Sequence, residues 1–132
     1  MEHKLFLDGT KTKISWIVQT GNQITKEFRV HPPPYTSGYK LDVKNEEQSK
    51  FIALHAGIYW SIGVYTIKDG DIVNVMCDSK KMYDILSSKH KISDQIINDK
   101  IHFINLFIKQ RKLVVNYHLI DSDENPASVL IR

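Results

Sequence analysis

Hydrophobic and polar positions over the first thirty residues follow the pattern that is typical of β-strands. The short apolar run Lys4–Leu7 ends at Asp8 and Gly9, and two segments rich in β-branched and aromatic residues follow it. The three strands are expected at residues 4–7, 14–19 and 23–30. Turn residues at Thr20-Gly21-Asn22 separate the second strand from the third, so we predict three antiparallel strands. Three successive prolines then end the third strand, because proline cannot donate a ladder hydrogen bond.

Apolar residues recur at helical spacing in three later segments. Helices are expected from Asn45, a good N-cap, to about Ile62, then over 79–88, and over 93–111 with Ser93 as cap. Their inward-facing residues are Phe51, Leu54, Ile58, Ile62, Met82, Ile85, Leu86, Ile97, Ile101, Ile104 and Ile108. Strands are expected over 72–77 and 113–120, and a short helix follows Asn125. This order predicts an α/β fold with a five-stranded mixed sheet, three antiparallel strands then two parallel, and helices on both faces.

Length and composition narrow the class of protein only a little. The 132 residues suit one domain, 1–132, and 42% hydrophobic with 25% charged residues is typical of globular proteins. The net charge of +3 does not identify a nucleic-acid partner, although basic residues concentrate in the second half. Cys77, the only cysteine, excludes a disulfide framework and is expected to be a buried thiol. We recognise no signal peptide and no apolar run of membrane-spanning length, so we expect a cytoplasmic (intracellular) protein without a membrane partner.

Two of the predicted strands end on a carboxylate, Asp8 and Asp78. An acid at the carboxyl end of a strand is well placed to hold a metal or ligand at the rim of an α/β sheet. The alternative is that Asp78 caps the helix that follows, and the residues around Asp78 alone favour this alternative.

The element order, together with four motifs, resembles the ribonuclease H family (type 1). The first strand ends in "LFLDGT", the first helix begins "NEEQ", the fourth strand leads into "VMCDSKKMYDIL", and the chain closes on "YHLIDSDENPASVLIR". The family has Asp-Gly, Asn-x-x-Glu, Asp-Ser and Ala-Asp at the corresponding places. The resemblance covers nearly the whole chain, implies a ribonuclease H-like fold, and favours a site role for Asp78 over the cap.

The resemblance also implies a nuclease that cuts the RNA strand of an RNA–DNA hybrid with Mg²⁺, Mn²⁺ being possible. In such enzymes two metal ions about 4 Å apart activate a water and stabilise the leaving oxygen. Carboxylates supply the hard oxygen ligands that magnesium prefers. The implied catalytic and metal-binding residues are Asp8, Glu47, Asp78 and Asp123, with Asp121 as an alternative to Asp123.

Three features depart from the family pattern. Matching Ala53-Leu54 to the family's Ala-Leu puts Lys50 at the position of the catalytic Glu, whereas matching from Asn45 puts Gln48 there. Glu47 lies one residue before Gln48, the position of the catalytic Glu in the second alignment. Glu46 lies one helical turn before Lys50, on the same helix face. Ser128 stands at the position of the last Asp, and the loop after the first strand is shortened.

Two hypotheses therefore follow. The chain is either a metal-dependent hydrolase acting on RNA–DNA hybrids, or a catalytically degraded ribonuclease H fold that acts as a nucleic-acid or protein interaction module. Lys50, Ser128 and the shortened first loop favour the degraded pseudoenzyme. The retained strand acids, with Glu46 and Glu47 within a turn of the expected place, favour the nuclease, which is the interpretation we prefer from the sequence. The sequence leaves the oligomeric state open.

Aromatic and histidine residues provide few further candidates. Tyr35 and Tyr39, in a loop with a turn at Ser37-Gly38, could stack on bases, whereas Trp16 is expected in the core. The six histidines lack metal-ligand spacing, and the family often has a histidine near the position of His118.

Overall fold

The strands and helices form in the predicted order. The computed structural model describes residues 1–31, 43–88 and 92–132. Its strands are β1 (Glu2–Gly9), β2 (Lys13–Thr20), β3 (Gln23–Val30), β4 (Ile72–Cys77) and β5 (Val114–Leu119). Its α-helices are α1 (Glu46–Gly63), α2 (Lys80–Ser88) and α3 (Gln95–Arg111), and two short 3₁₀ helices follow at Ser122–Glu124 and Pro126–Leu130.

All five strands form one sheet in the order β3-β2-β1-β4-β5. β1 pairs antiparallel with β2, and β2 with β3, while β4 is parallel to both β1 and β5. Phe6 lies opposite Met76 in the β1–β4 ladder. Asp8 and Asp78 each follow two residues later, so they lie side by side at the carboxyl ends of the two strands. The predicted α/β architecture with three antiparallel and two parallel strands is confirmed.

α1 packs closely against the sheet. The Asn45 side chain accepts a hydrogen bond from the Gln48 N–H and caps the helix, as predicted. Phe51, Leu54 and Ile58 are fully buried in the core that α1 forms with the sheet. A Cβ on Gly57 would lie 3.1 Å from Cβ of Trp16, so a small residue is needed for this approach.

The α-helices and the 3₁₀ helices lie on opposite faces of the sheet. Gly9 of β1 faces α1, whereas the neighbouring Ser15 of β2, opposite Asp8, donates to the Ala127 carbonyl 2.7 Å away. The last predicted helix is therefore a 3₁₀ segment of one to two turns, which lies across β1 and β2 on the face away from α1.

Two helix caps differ from the residues that the sequence suggested, one as a prediction and one only as an alternative. Ser79, not Asp78, accepts the Met82 N–H at the start of α2, so the capping alternative for Asp78 was wrong. Asp94, not Ser93, accepts the Ile97 N–H and caps α3. The alternative cap Asp78 and the predicted cap Ser93 each lie one residue before the actual cap, because either neighbour has a suitable side chain and tertiary contacts decide between them.

Some predictions fall outside the described residues. These are the loop with Tyr35, Tyr39 and the Ser37-Gly38 turn, and part of the basic segment 87–91. Among the described helices, none is both long and apolar enough to cross a membrane.

Candidate active site

Asp8 and Asp78 lie together at the edge of the sheet, as the sequence predicted. The Asp8 side chain is fully buried and that of Asp78 is 4% exposed. The Gly9 N–H donates to Asp8 Oδ1 over 2.8 Å, which fixes the orientation of this carboxylate. Two buried carboxylates this close need counter-charges, because an isolated buried charge is costly.

Lys50 supplies the first counter-charge. Its Nζ donates to Asp78 Oδ1 over 2.8 Å and lies 3.6 Å from Asp8 Oδ1. Gln48 instead donates to Asp94, away from the acids, so Lys50 is the one of these two helix residues that reaches the strand acids. This contact agrees with the first of the two alignments left open by the sequence, the one that matches Lys50 to the position of the catalytic Glu.

Arg132 supplies the second counter-charge, and the sequence reasoning missed it. Its Nε donates to Asp8 Oδ2 over 2.7 Å, and its Nη2 lies 3.2 Å from both Asp8 Oδ1 and the Gly9 carbonyl. The same Nη2 donates to Glu46 Oε1 over 2.7 Å. Such a two-nitrogen contact on one carboxylate is among the stronger ion-pair geometries.

Asn125 ties the acids to the 3₁₀ segment. Its buried side-chain amide donates to the Leu7 carbonyl over 2.8 Å and to Asp78 Oδ2 over 3.0 Å. Its Oδ1 accepts the Ala127 N–H over 3.1 Å, which caps the 3₁₀ helix. Asn125 was predicted only as a loop residue; a polar residue directly before Pro126 was the available signal for a cap.

These contacts shift the ionisation of the site. Burial raises the pKa of Asp8, but hydrogen bonds from Arg132, Ser128 and the Gly9 N–H, with the charge of Lys50, outweigh it and hold this pKa below its ordinary value. Burial lowers the pKa of Lys50, but its hydrogen bond to Asp78 and the neighbouring acids raise it above its ordinary value. Both residues are therefore charged at neutral pH.

Glu47 lies near Lys50 but is hydrogen-bonded to Ser79 rather than to the buried pair, and Asp123 lies apart from the pair. One Glu47 carboxylate oxygen accepts a hydrogen bond from the Ser79 hydroxyl, and the other is buried without a partner among the described residues. Asp123 belongs to an exposed group with Asp121 and Glu124, the one set of ligand atoms in the described residues that is spaced for a metal ion. Of the four residues predicted as one magnesium site, Asp8 and Asp78 thus form the buried pair, Glu47 lies beside that pair, and Asp123 lies in the separate exposed group.

The buried pair does not fit a magnesium centre in this arrangement. An ammonium lies between the two carboxylates and a guanidinium covers Asp8, so three of the four carboxylate oxygens already bind cationic side chains. The fourth, Asp78 Oδ2, accepts a hydrogen bond from Asn125. The positive charges of Lys50 and Arg132 would also repel an incoming divalent ion.

His118 lies elsewhere on the sheet. Its Nε2 is 3.1 Å from Asn74 Oδ1, in a polar row that continues from Asn74 to Glu2. Trp16 is 2% exposed and packs against Trp60, which confirms the prediction that it belongs to the core.

Comparison with known proteins identifies the fold. No family model and no curated protein matches the chain. A ribonuclease H1 from Halobacterium salinarum matches with a TM-score of 0.73 and 12% identity over 96% of this chain and 91% of that one. The chain has a ribonuclease H-like fold.

Two further structures give the same result. The N-terminal ribonuclease H domain of a Mycobacterium tuberculosis protein matches with a TM-score of 0.73 and 12% identity, over 96% of this chain and 92% of that one. A ribonuclease H1 in complex with an RNA/DNA hybrid matches with a TM-score of 0.66 and 13% identity, over 98% of this chain and 91% of that one.

Proposed function

We propose that this chain is a ribonuclease H-like nucleic-acid-binding module in which cationic side chains replace the metal ions. The observation that carries the proposal is the Lys50 ammonium, 2.8 Å from Asp78 and 3.6 Å from Asp8. Of the two hypotheses drawn from the sequence, this geometry favours the catalytically degraded fold.

The charge balance of the site supports this proposal. Lys50 and Arg132 match the charges of Asp8 and Asp78, so the buried pair is stable without any bound ion. A divalent ion would have to displace the Lys50 ammonium, which is only 12% exposed, and leave that charge unpaired in a partly buried place. We therefore expect weak metal binding and no two-metal hydrolysis.

Lysines around the acids provide the surface for a nucleic acid. Lys11 and Lys13 lie in or beside the β1–β2 turn, Lys44 directly precedes the capped start of α1, and Lys81 lies in the first turn of α2. Each of these lysines lies within five residues, along the sequence, of Asp8, Glu46 or Asp78, and all but Lys13 are exposed. Lysines bind phosphate backbones without sequence preference. A structure of this fold in complex with an RNA/DNA hybrid makes such a duplex the first ligand to test.

The second candidate is the magnesium-dependent nuclease acting on the RNA strand of a hybrid. It is favoured by the survival of both strand acids, Asp8 and Asp78, side by side at the edge of the sheet. In this candidate Glu47 and Asp123 complete the ligands, which requires Glu47 to leave Ser79 and Asp123 to leave its exposed position.

The deciding experiment measures binding and cleavage in the same samples. Fluorescence anisotropy of a labelled RNA–DNA hybrid gives the affinity, and denaturing gels give cleavage with Mg²⁺ or Mn²⁺. We expect metal-independent binding that weakens steeply with salt, and no cleavage. Cleavage by the unmodified chain that Asp78→Asn abolishes would overturn the proposal in favour of the nuclease, and absence of binding would refute both candidates.

Two sets of variants sharpen this test. Lys50→Glu combined with Ser128→Asp restores the two acids of the family pattern, and we expect it to gain thermal stabilisation by Mg²⁺ that the unmodified chain lacks. Lys11→Gln combined with Lys81→Gln should weaken binding to every duplex and reduce the salt slope by about 2, since each removed lysine leaves one phosphate unneutralised. Lys112→Gln, on the loop after α3, is the matched control and should leave the affinity unchanged.

A further inference from the structure

β3 forms one edge of the sheet and carries exposed apolar side chains. Ile24, Phe28 and Val30 are 59%, 51% and 61% exposed, and all three lie on the face away from α1. Exposed apolar residues on a long edge strand are uncommon, because such an edge can pair with another strand.

The hairpin geometry shows which backbone groups of β3 face the edge. Thr20 and Gln23 close a two-residue turn in which Gly21 has φ +58°, a value that favours glycine. The two residues that close such a turn are hydrogen-bonded to each other. Along the two strands, hydrogen-bonded pairs then alternate with non-hydrogen-bonded pairs. The N–H and C=O groups of Ile24, Phe28 and Val30 therefore point away from β2, towards an edge that no described strand pairs with. The Phe28 carbonyl accepts a hydrogen bond from Arg29 Nη1 over 2.8 Å there, and pairing with another strand would have to replace this bond.

We propose that β3 pairs antiparallel with β3 of a second copy of this chain, across a twofold axis at Phe28. Phe28 then lies opposite Phe28 of the second copy. Arg29 lies opposite Glu27 of the second copy, and the reverse pair forms on the other side of the axis. Cross-strand aromatic pairs and opposite charges both stabilise sheets.

The charges of β3 select this alignment. Residues directly opposite each other must share a face of the sheet, so the nearest alternative alignments slide the second strand by two residues. Sliding it one way places Glu27 opposite Glu27 of the second copy, and sliding it the other way places Arg29 opposite Arg29. Only the alignment centred on Phe28 pairs each arginine with a glutamate. The two side chains already lie on one face within the chain, where Arg29 Nη1 donates to Glu27 Oε2 over 2.6 Å.

The opposite edge of the sheet is less suited to this pairing. β5 has six residues, whereas β3 has eight. β5 also exposes Val114 and Leu119, but Asn116 and His118 between them are within hydrogen-bonding distance of Asn74 on the neighbouring strand. The edge formed by β5 is therefore more polar than the edge formed by β3.

The test is a charge-swap mixing experiment in sedimentation equilibrium. Pairing of two eight-residue strands is expected to bury less than about 1,200 Å², so we expect a weak dimer with a micromolar Kd. Arg29→Glu and Glu27→Arg should each weaken self-association at least tenfold, because each creates two like-charge pairs. An equimolar mixture of the two variants should recover dimer within about threefold of the unmodified chain, since every opposed pair is then of opposite charge.

The mixture separates pairing from folding. Neither variant regains its own Glu27–Arg29 contact on mixing, so recovery reports contact between copies, and thermal unfolding of each variant by circular dichroism checks that it is folded. Phe28→Ser should also weaken association at least tenfold. An unmodified chain that stays monomeric to about 1 mM, single variants that dimerise normally, or folded variants that fail to recover on mixing would each overturn the proposal.

Discussion

Replacing Lys50 by methionine tests the account of the acid site most directly. The substitution keeps the apolar stem of the side chain and removes the ammonium that bridges Asp8 and Asp78. We expect Lys50→Met to fold and to lose about 3 kcal/mol of its free energy of unfolding at pH 7.

This magnitude follows from the distances. At an effective dielectric of about 20, a pair of charges 2.8 Å apart, as in Lys50 and Asp78, attract by about 6 kcal/mol. Removing the ammonium also removes the cost of burying it, and removing one partner of a buried pair generally costs about 3–5 kcal/mol. Arg132 still covers Asp8, so the lower end of this range applies.

The loss should depend on pH in a defined direction. The pKa of Asp8 is lowered in the folded chain, so its contribution to stability is present above its unfolded value of about 3.9 and is lost as the pH falls through the folded value. Because a protonated Asp8 no longer needs the ammonium, the difference between Lys50→Met and the unmodified chain should be smaller at pH 3, below the unfolded value, than at pH 7.

Urea unfolding at pH 7 and pH 3, followed by circular dichroism, measures both quantities. Lys81→Met, at an exposed position of α2, is the matched control and should change stability by less than about 0.5 kcal/mol. If Lys50→Met lost the same free energy of unfolding at both pH values, packing rather than charge would be responsible. No loss at pH 7 would refute the ion-pair account of the site.

Two more predictions concern positions beside the acids. Gly9→Ala should destabilise the chain by about 1–3 kcal/mol in urea unfolding, because its Cβ would lie 2.5 Å from the Ser49 carbonyl carbon and overpack the β1–α1 contact. The control is Gly63→Ala, which has open space around it and should lose no stability. Cys77 is fully buried, and burial raises the pKa of its thiol to about 12. A chromogenic disulfide reagent at pH 8 should therefore react with this thiol only when the chain unfolds. Rapid reaction in the folded chain would contradict this burial.

Much of the fold followed from local patterns. The bounds of β3 and β4 match their predicted ranges, because turn residues or a change of pattern mark both ends of each strand. The predicted strands β1 and β2 are one or two residues too short at their ends, since Glu2 and Lys13 join the ladder through backbone groups that do not depend on an apolar side chain.

The candidate site was only partly predictable. Asp8 and Asp78 could be paired from the strand order, and Lys50 from the helix motif. Arg132 and Asn125 could not, because both lie in a short irregular segment whose contacts with β1 and β4 leave no periodic signal in the sequence. The partner of Glu47 was missed for a similar reason, as Ser79 matters there through a contact between α1 and α2.

The contact between Arg132 and Asp8 joins residues 124 positions apart, which constrains the order of folding. During synthesis the first hairpin emerges long before the arginine that neutralises its buried acid. Until residue 132 is available, Asp8 can be covered only by Lys50, and the β1–α1 unit must tolerate a partly compensated charge. We therefore expect the first three strands and α1 to become fully protected from hydrogen exchange only as the last segment docks, and chains shortened by seven residues to fold slowly and incompletely.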